Sequence, residues 1–326
     1  MTALKHAATA LFLTLAGLGS AGAAETLTIG VQESGTVQWE IETIKSMGLD
    51  KAHDLDLVVR PLADSRAGQI ALQTGAVDVI LSDFVWVSVQ RNSGNMVAMV
   101  PHSLAVGGLM IPAGSDIASV ADLESKVIGV AGGPADKSWV ILQAYFAHET
   151  GKTLAEATEP RFGAPPLVNE LLASAKIDAG LNFWQWNARA AASGATELLS
   201  VKAMLGDLGI ATPPPLLGWT FTEATAAAKP EALKRFLDTS FAAKDVLRTD
   251  DSAWEHLKDL MGAADDPALF EALKSGYRAG IVTAYDPADT SAAEKTFALL
   301  AEFGGSDVVG DDTTLAEGTF WPGYSK

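Results

Sequence analysis

The sequence predicts an α/β fold in which mostly parallel sheets are flanked by helices. Short β-rich segments alternate with segments of helical spacing, and this alternation is typical of parallel sheets covered on both faces. The alternation pauses after Arg91 and restarts at Leu104, so it forms two successive halves of comparable size. A run of three prolines, 213–215, separates these halves from a final strand and a helical C-terminal part.

The first half contains three strand–helix pairs. Residues 26–31 alternate in polarity and are rich in β-formers, which predicts a strand. The helix that follows has apolar residues at Val37, Ile41 and Ile44 and ends at Gly48. The next two helices each follow an acidic residue that can cap the first turn. The predicted strands are 26–31, 55–61 and 77–81, and the predicted helices are 37–47, 66–73 and 84–91.

The second half repeats this order. Its first strand contains the pair Gly107-Gly108, and a turn at 132–134 leads from a short apolar strand into a long helix. The predicted strands are 104–112, 127–131 and 177–183, and the predicted helices are 120–123, 136–150, 165–174 and 184–192. Beyond the prolines we predict a strand at 216–221 and helices at 230–247, 252–261, 267–279 and 292–303.

The composition excludes several classes of function. The chain has no cysteine, so it can form no disulfide, thiolate metal site or thiol nucleophile. Its formal net charge of −17 argues against binding to nucleic acid or to an anionic membrane. The five histidines are scattered and form no HExxH pair, so we expect neither a metal nor a cofactor.

Residues 1–24 have the pattern of a cleavable secretory signal. Lys5 supplies the positive start, an apolar run of about a dozen residues follows, and 21–23 is a small-x-small cleavage site. The run is too short to span a bilayer, and no later segment is apolar enough for membrane insertion. We expect cleavage near Ala23/Ala24 and a periplasmic protein, without a lipid anchor because no cysteine is present.

Several short motifs resemble those of one family. Residues 73–79 (QTGAVDV) are similar to the L-x-x-G-x-(I/V)-D step of solute-binding proteins of ABC importers. Residues 120–130 (VADLESKVIGV) resemble the family segment V-x-D-L-K-G-K-x-I-G-V, and 176–184 resemble its second G-x-(I/V)-D-A step. Together the motifs cover roughly 27–241 and resemble the nitrate/sulfonate/taurine branch of the type II periplasmic binding fold.

This resemblance implies a two-lobe clamp that closes on a solute. Lobe 1 would comprise residues 25–103 and 216–326, and lobe 2 would comprise residues 104–215. Two chain crossings, near 103–108 and 213–218, would act as the hinge.

Candidate ligand residues lie where predicted strands end. In open α/β sheets a ligand binds beyond the C-terminal strand ends, where free helix N–H groups favour an anion. The predicted ligand-binding residues are Glu33, Ser34, Thr36, Arg66, Ser82, Asp83, Trp86, Pro134, Asp136, Ser138, Asn182 and Trp184.

The loop 132–138 is the strongest single candidate for an anion site. Its small residues allow close approach of the backbone, and Ser138 can donate a hydrogen bond. The same pattern also fits an ordinary turn in which Asp136 caps the next helix, and Asp83 has the same two interpretations. Glu33 has no such capping position and is the expected partner of an ammonium group.

The charge and aromatic content of these loops indicate the class of solute. Acidic residues outnumber basic ones, and tryptophans near the strand ends could form flat walls that hold a cation, although core packing is an equally good explanation for many of them. The pattern favours an amine, a zwitterion or an aromatic compound over nitrate or bicarbonate.

The sequence therefore predicts the periplasmic solute-binding component of an ABC importer. We expect a monomer whose partners are a small solute and an inner-membrane ABC permease. A ligand-sensing module that presents solute to a membrane receptor would need the same clamp. An enzyme is less expected, because the pyrimidine-forming synthase and the pyrrole-joining deaminase of this fold need cysteines that the chain lacks.

Overall fold

The computed structural model describes residues 25–326, whose strands form two five-stranded sheets. The predicted signal peptide, 1–24, lies outside the described residues. The first sheet consists of β1 (Glu25–Gln32), β2 (Leu55–Leu62), β3 (Val79–Asp83), β4 (Val97–Ser103) and β10 (Leu217–Thr222). The second consists of β5 (Gly108–Ile111), β6 (Val127–Ala131), β7 (Glu159–Gly163), β8 (Ala179–Asn182) and β9 (Thr196–Ser200).

The two sheets have the same topology. The strand order is β2-β1-β3-β10-β4 in the first sheet and β7-β6-β8-β5-β9 in the second. The first three strands of each order pair in parallel, and the fourth runs antiparallel to both of its neighbours. The predicted α/β class with mostly parallel sheets is therefore confirmed.

Helices cover the faces of both sheets. Those before β5 are α1 (Val37–Ser46), α2 (Leu49–Ala52), α3 (Ser65–Gln73) and α4 (Phe84–Asn92). Those between β6 and β10 are α5 (Lys137–Thr150), α6 (Leu154–Ala157), α7 (Pro165–Ala173), α8 (Trp184–Ala192) and α9 (Val201–Asp207). After β10 follow α10 (Glu223–Ala228), α11 (Pro230–Thr249), α12 (Pro267–Ala279), α13 (Ser291–Gly304) and α14 (Ser306–Val309). Residues Val120–Leu123 and Ser252–Leu257 form 3₁₀ turns.

The structure differs from the sequence predictions mainly at sheet edges. Strands β4, β7 and β9, which the patterns do not predict, are all edge strands. Strands β7 and β9 are half-exposed and so lack a continuous apolar run, and β4 contains Pro101, which has no N–H to donate. The strand predicted at 104–112 is wrong over 104–107, which form a connection between the sheets.

The chain passes between the sheets at two places. Residues 104–107 connect β4 to β5, and residues 208–216 connect α9 to β10. Gly107 lies so close to the carbonyl oxygen of Asn182 that a Cβ would not fit there. These two crossings lie close to the expected hinge positions, and the lobe boundaries stay a prediction.

The chain after β10 contacts elements of both sheets. Helix α13 packs against α5, and Phe320 pairs with Met99 on the outer edge of β4. This pairing covers an edge strand that would otherwise expose free backbone groups. None of the helices within residues 25–326 combines the length and the apolar character that crossing a membrane requires.

Candidate functional site

A cavity of about 460 Å³ lies between the two sheets. We call it the cleft cavity. The first sheet's side contributes the ends of β1, β3 and β4, and the second sheet's side contributes the first turns of α5 and α8. The C-terminal ends of parallel strands meet at this place, as the sequence analysis expects.

Three helices that begin at the cleft cavity are capped by their own aspartates. Asp64 accepts from the backbone N–H of Ala67 at 2.8 Å, at the start of α3. Asp83 accepts from the N–H of Trp86 at 2.9 Å, at the start of α4. Asp136 accepts from the first turn of α5, at 2.9 and 3.2 Å. These carboxylates are therefore already paired with helix N–H groups.

Asp136 caps α5 as the second interpretation of the loop 132–138 expects, while an anion site in this loop stays a prediction. Asp136 bonds the N–H groups of Ser138 and Trp139, so the first turn of α5 already has a negatively charged partner. Burial raises the pKa of the Asp136 carboxyl above its ordinary value, although these two N–H groups and Lys137 oppose that shift. An added anion would compete with a built-in carboxylate at this helix.

Two other helices that begin at the cleft cavity lack a side-chain cap. Thr36 precedes α1 and Phe183 precedes α8, and neither side chain accepts a hydrogen bond from the first turn of its helix. The first residues of both helices, Val37 and Trp184, line the cavity. Free N–H groups and the helix dipole make such termini favourable for a negatively charged group.

One ion pair spans the cavity from one lobe to the other. The ammonium of Lys137, at the start of α5, lies 3.2 Å from the Asp83 carboxylate at the end of β3. The Asp83 charge raises the pKa of Lys137 above its ordinary value, against the opposing effect of burial. Lys137 is therefore a cation that lines the cavity and pairs with Asp83 across it.

Below the cavity, five polar side chains form a buried ionic network. Its centre is Glu40 of α1, which is fully buried. Glu40 accepts from His102 Nε2 at 3.0 Å and from Ser240 Oγ at 2.5 Å. It also accepts from Tyr277 Oη at 3.2 Å, and Lys244 Nζ lies 3.2 Å from its carboxylate.

The network keeps Glu40 ionised. Burial alone would raise the pKa of Glu40, but the Lys244 ammonium, the His102 ring and the Ser240 hydroxyl together lower it to about 2. Burial and the Lys244 charge lower the pKa of His102 below its ordinary value, against the opposing effect of Glu40. Burial, reinforced by the Glu40 charge, raises the pKa of Tyr277 well above 10.

Aromatic rings join the lobes beside the cavity. Trp184 of α8 and Trp39 of α1 form a T-shaped pair, with ring centroids 5.9 Å apart and planes at 90°. Trp39 also contacts Trp254 and Tyr277. A Cβ placed on Gly276 of α12 would lie 2.9 Å from the Trp184 ring, so a glycine makes this close contact between α12 and α8 possible.

The structure brings half of the predicted ligand residues to the cavity. Those that line it are Thr36, Ser82, Asp83, Asp136, Ser138 and Trp184. Those outside its lining are Glu33, Ser34, Arg66, Trp86, Pro134 and Asn182.

The residues outside the lining are placed elsewhere for identifiable reasons. Glu33 and Arg66 are exposed, as are Ser34 and Pro134 in their turns. Trp86 packs against the hydrophobic core. The Asn182 side chain is buried, donates to Pro165 and Asn169, and accepts from the Phe183 N–H. A role for these six residues in binding stays a prediction.

Sequence reasoning missed His102, Lys244 and Tyr277, which all line the cavity. They lie on three elements far apart in the chain and meet only through Glu40. One signal was available, because Glu40 and Lys244 are charged residues on the otherwise uncharged buried faces of their helices. A charge at such a position is rarely buried without a partner.

The chain belongs to the family described as NMT1/THI5 like, whose model matches residues 45–250. No curated protein matches the chain in sequence. The resemblance that the sequence motifs indicate is thereby confirmed at the level of the family.

Solved structures share the fold. The periplasmic aliphatic sulphonate binding protein SsuA from Escherichia coli is 15% identical, with a TM-score of 0.73, over 91% of this chain and 97% of that one. The alkanesulfonate-binding protein SsuA from Xanthomonas axonopodis pv. citri, bound to MOPS, is 17% identical, with a TM-score of 0.69, over 91% and 98%. At these identities the likeness concerns the fold, and the predicted two-lobe periplasmic binding architecture is confirmed.

A further structural neighbour was solved with an aromatic sulfinic acid bound. A cysteine-to-serine mutant of DszB in complex with biphenyl-2-sulfinic acid is 15% identical, with a TM-score of 0.60, over 91% of this chain and 98% of that one. Most of the structural neighbours named here are binding proteins.

Proposed function

We propose that this protein is the periplasmic solute-binding component of an ABC importer and that it encloses one small organic solute between its lobes. The observation that carries the proposal is the cleft cavity, to which both lobes contribute charged groups and helix starts. Its volume of about 460 Å³ suits a small molecule. The family and the sulfonate-binding neighbours support the same function.

The mechanism is binding without chemistry. An open clamp admits the solute, and contacts from both lobes then favour the closed state. Asp83 and Ser82 would contact the solute from the first lobe, and Lys137 and Trp184 from the second. A solute that contacted one lobe alone would bind the open and closed states equally well. It would not favour closure, because closure requires a higher affinity for the closed state.

The cavity indicates a solute with both anionic and polar character. The uncapped starts of α1 and α8, together with Lys137, favour a sulfonate or carboxylate group. Asp83 would pair with an ammonium group of the same solute if the solute displaced Lys137. The aromatic ring of Trp184 can pack against an apolar part. A sulfonate or taurine-like zwitterion, an amine and an aromatic acid all remain candidates.

The proposed partner is an inner-membrane ABC permease, which would receive the solute from a free monomer in the periplasm. Localisation in the periplasm is supported by the predicted signal peptide and by the likeness to a periplasmic sulphonate binding protein. A membrane receptor in place of the permease is the alternative.

The test is a thermal-shift panel of sulfonates, amines and aromatic acids on the purified protein. We expect at least one class to raise the melting temperature, with the shift reduced in K137M. The matched control is K152M, which removes a lysine whose ion pair with Glu124 lies on the surface. If no compound shifts the melting temperature, the solute-binding proposal fails.

The same panel tests the proposal of binding without chemistry. Each compound that binds is incubated with the protein and then recovered by mass spectrometry. We expect it to be unchanged in mass. A changed mass, dependent on the protein, would show that the chain is an enzyme instead.

A further inference from the structure

Helix α8 contacts two different parts of the molecule through different residues. Asn187 donates to the carbonyl of Gly108 on β5 at 3.0 Å, and Ala190 belongs to an apolar cluster with residues of β5 and β6. Trp184 and Ala188 pack instead against a separate apolar cluster, which surrounds α12. Helix α8 is therefore where the chain that carries the second sheet meets another part of the protein.

The cluster around α12 is attached to the first sheet. Its residues come from α1, α11, α12 and the chain next to α12. Helices α1 and α11 both pack against β1, and Ile281 of the cluster forms a bridge with Ser103 at the end of β4. The contact between α8 and this cluster thus joins the surroundings of the two sheets.

A charged hydrogen bond crosses this contact. Arg189 Nη2 of α8 donates to the carbonyl oxygen of Met261 at 2.6 Å. Met261 lies in a turn that precedes α12, and a Cβ on the next residue, Gly262, would lie 3.7 Å from Arg189 Nη2. Both Arg189 and Met261 lie outside the lining of the cleft cavity. The bond therefore connects the two sides at a place that the solute does not reach.

Helix α8 holds the guanidinium of Arg189 in place. Its Nη1 donates to the carbonyl of Gln185, one turn earlier, at 3.2 Å, and its Cζ lies 5.4 Å from the centroid of the Trp186 ring. Partial burial lowers the pKa of Arg189 below its ordinary value, and no carboxylate within residues 25–326 opposes that shift. The guanidinium stays charged, since arginine keeps its proton in proteins. The Met261 carbonyl replaces part of the water that this cation loses on burial.

We propose that the hydrogen bond from Arg189 to Met261 forms when the clamp closes and breaks when it opens, so that Arg189 raises the affinity for the solute from outside the cavity. The inference rests on the proposed function. An interaction made only in the closed state raises the fraction of closed protein, and the apparent affinity for an enclosed solute rises with that fraction. Because Arg189 lies outside the lining, it raises the affinity for every enclosed solute by the same factor.

The first test compares R189M with the wild-type protein by calorimetric titration. The probes are the compounds that raise the melting temperature in the thermal-shift panel. We expect the dissociation constant to rise about tenfold in R189M, as for the loss of one hydrogen bond from a charged group, and by a similar factor for each compound. An unchanged dissociation constant, or a loss confined to one compound among several, would overturn the inference.

The matched control is R161M. Arg161 Nη1 also donates to a carbonyl oxygen, that of Lys176 at 3.2 Å, but both residues belong to the chain that carries the second sheet. We expect R161M to bind each compound with the wild-type dissociation constant. A tenfold loss of affinity in R161M as well would show that any lost arginine–carbonyl bond weakens binding, and would overturn the special role of Arg189.

Kinetics separate this role from a purely structural one. In stopped-flow measurements R189M should release the compound about tenfold faster, with an unchanged association rate constant, because the bond forms after the solute has entered. Urea denaturation of the solute-free R189M and R161M should give similar free energies of unfolding. A much larger loss of stability in R189M would assign the bond to folding and contradict a role in closure.

A distance measurement keeps the inference testable if R189M fails to fold. The chain has no cysteine, so spin labels can be attached to A192C and A264C alone. Both alanines are exposed, one at the end of α8 and the other just after the turn that contains Met261. We expect electron–electron double resonance to show a longer distance in the solute-free protein and a shorter one when a compound from the panel binds.

The same distance with and without the compound would show that α8 does not separate from this turn. That result would overturn the inference while the solute-binding function stands, as would equal affinities of R189M and the wild-type protein. No binding by any compound of the panel would contradict the proposed function and this inference together.

Discussion

Two ion pairs border the cleft cavity, and they are built from similar groups in different surroundings. Glu40 and Lys244 are almost completely buried within the first lobe, with side-chain exposures of 0% and 2%. Asp83 and Lys137 belong to different lobes and retain exposures of 22% and 31%. A buried pair is costly to break, because the remaining charge is left without water, whereas a partly exposed pair contributes little. We infer that the first pair holds a lobe together and the second helps the lobes to meet.

The largest expected effect comes from breaking the buried pair on one side. E40Q leaves Lys244 buried without a counter-charge, and we expect the free energy of unfolding to fall by about 3–5 kcal/mol. Urea denaturation measures this change in the free energy of unfolding. E42Q is the matched control, since Glu42 lies on the same helix and is exposed. A loss below about 1 kcal/mol for E40Q would contradict the account of the network.

Ionisation of Glu40 should also make the free energy of unfolding depend on pH. Glu40 has a pKa of about 2 in the folded protein against an ordinary 4.5. Its contribution is therefore fully present above pH 4.5 and is lost as the pH falls towards 2, a change of about 3 kcal/mol. In E40Q this loss of unfolding free energy between pH 4.5 and 2 should be absent when urea denaturation is repeated across the pH range.

His102 adds to the acid sensitivity in the same direction. Burial lowers its pKa below the ordinary 6.5, so the unfolded chain takes up the proton more readily than the folded protein does. Stability from this residue is present above pH 6.5 and falls below it. A wild-type free energy of unfolding that stays constant as the pH falls from 6.5 to 2 would contradict the lowered pKa of Glu40 and of His102.

An intermediate effect is expected where aromatic rings join the lobes. In G276A the new methyl would lie 2.9 Å from the Trp184 ring and should disfavour closure by about 1–3 kcal/mol. Solute affinity should fall by about tenfold while the free energy of unfolding changes little. G206A is the control, because a Cβ at this helical position meets no atom within 4 Å. Equal affinities in the two variants would show that this contact plays no part in closure.

The smallest effect on stability is expected for the pair between the lobes. K137M should lower the free energy of unfolding by less than about 1 kcal/mol, because the pair is partly exposed. The same variant should weaken solute binding clearly. A large loss of stability without a loss of affinity would reverse the roles that we assign to the two ion pairs.

The fold could be predicted largely from local patterns. The strands β1, β2, β3, β6 and β8 carry the apolar runs and turn residues that mark buried parallel strands. The strands that local patterns missed lie at sheet edges, where pairing with a neighbour decides the structure more than the strand's own residues do.

The site could be predicted only in part. Residues that follow strand ends, such as Asp83 and Asp136, reach the cavity because topology places all such ends together. His102 and Lys244 reach it through long-range packing around Glu40, which no spacing in the sequence encodes. Glu33, the expected partner of an ammonium group, is exposed and lies outside the lining, so its role in binding stays a prediction.

Native mass spectrometry of the purified protein, before and after mild unfolding and dialysis, tests the central claim most directly. We predict a complex with one small molecule per chain that loses this mass on unfolding and regains one equivalent when a binding compound from the panel is added back. A chain that carries no small molecule and takes up none of the compounds at one equivalent would contradict a clamp that encloses a solute.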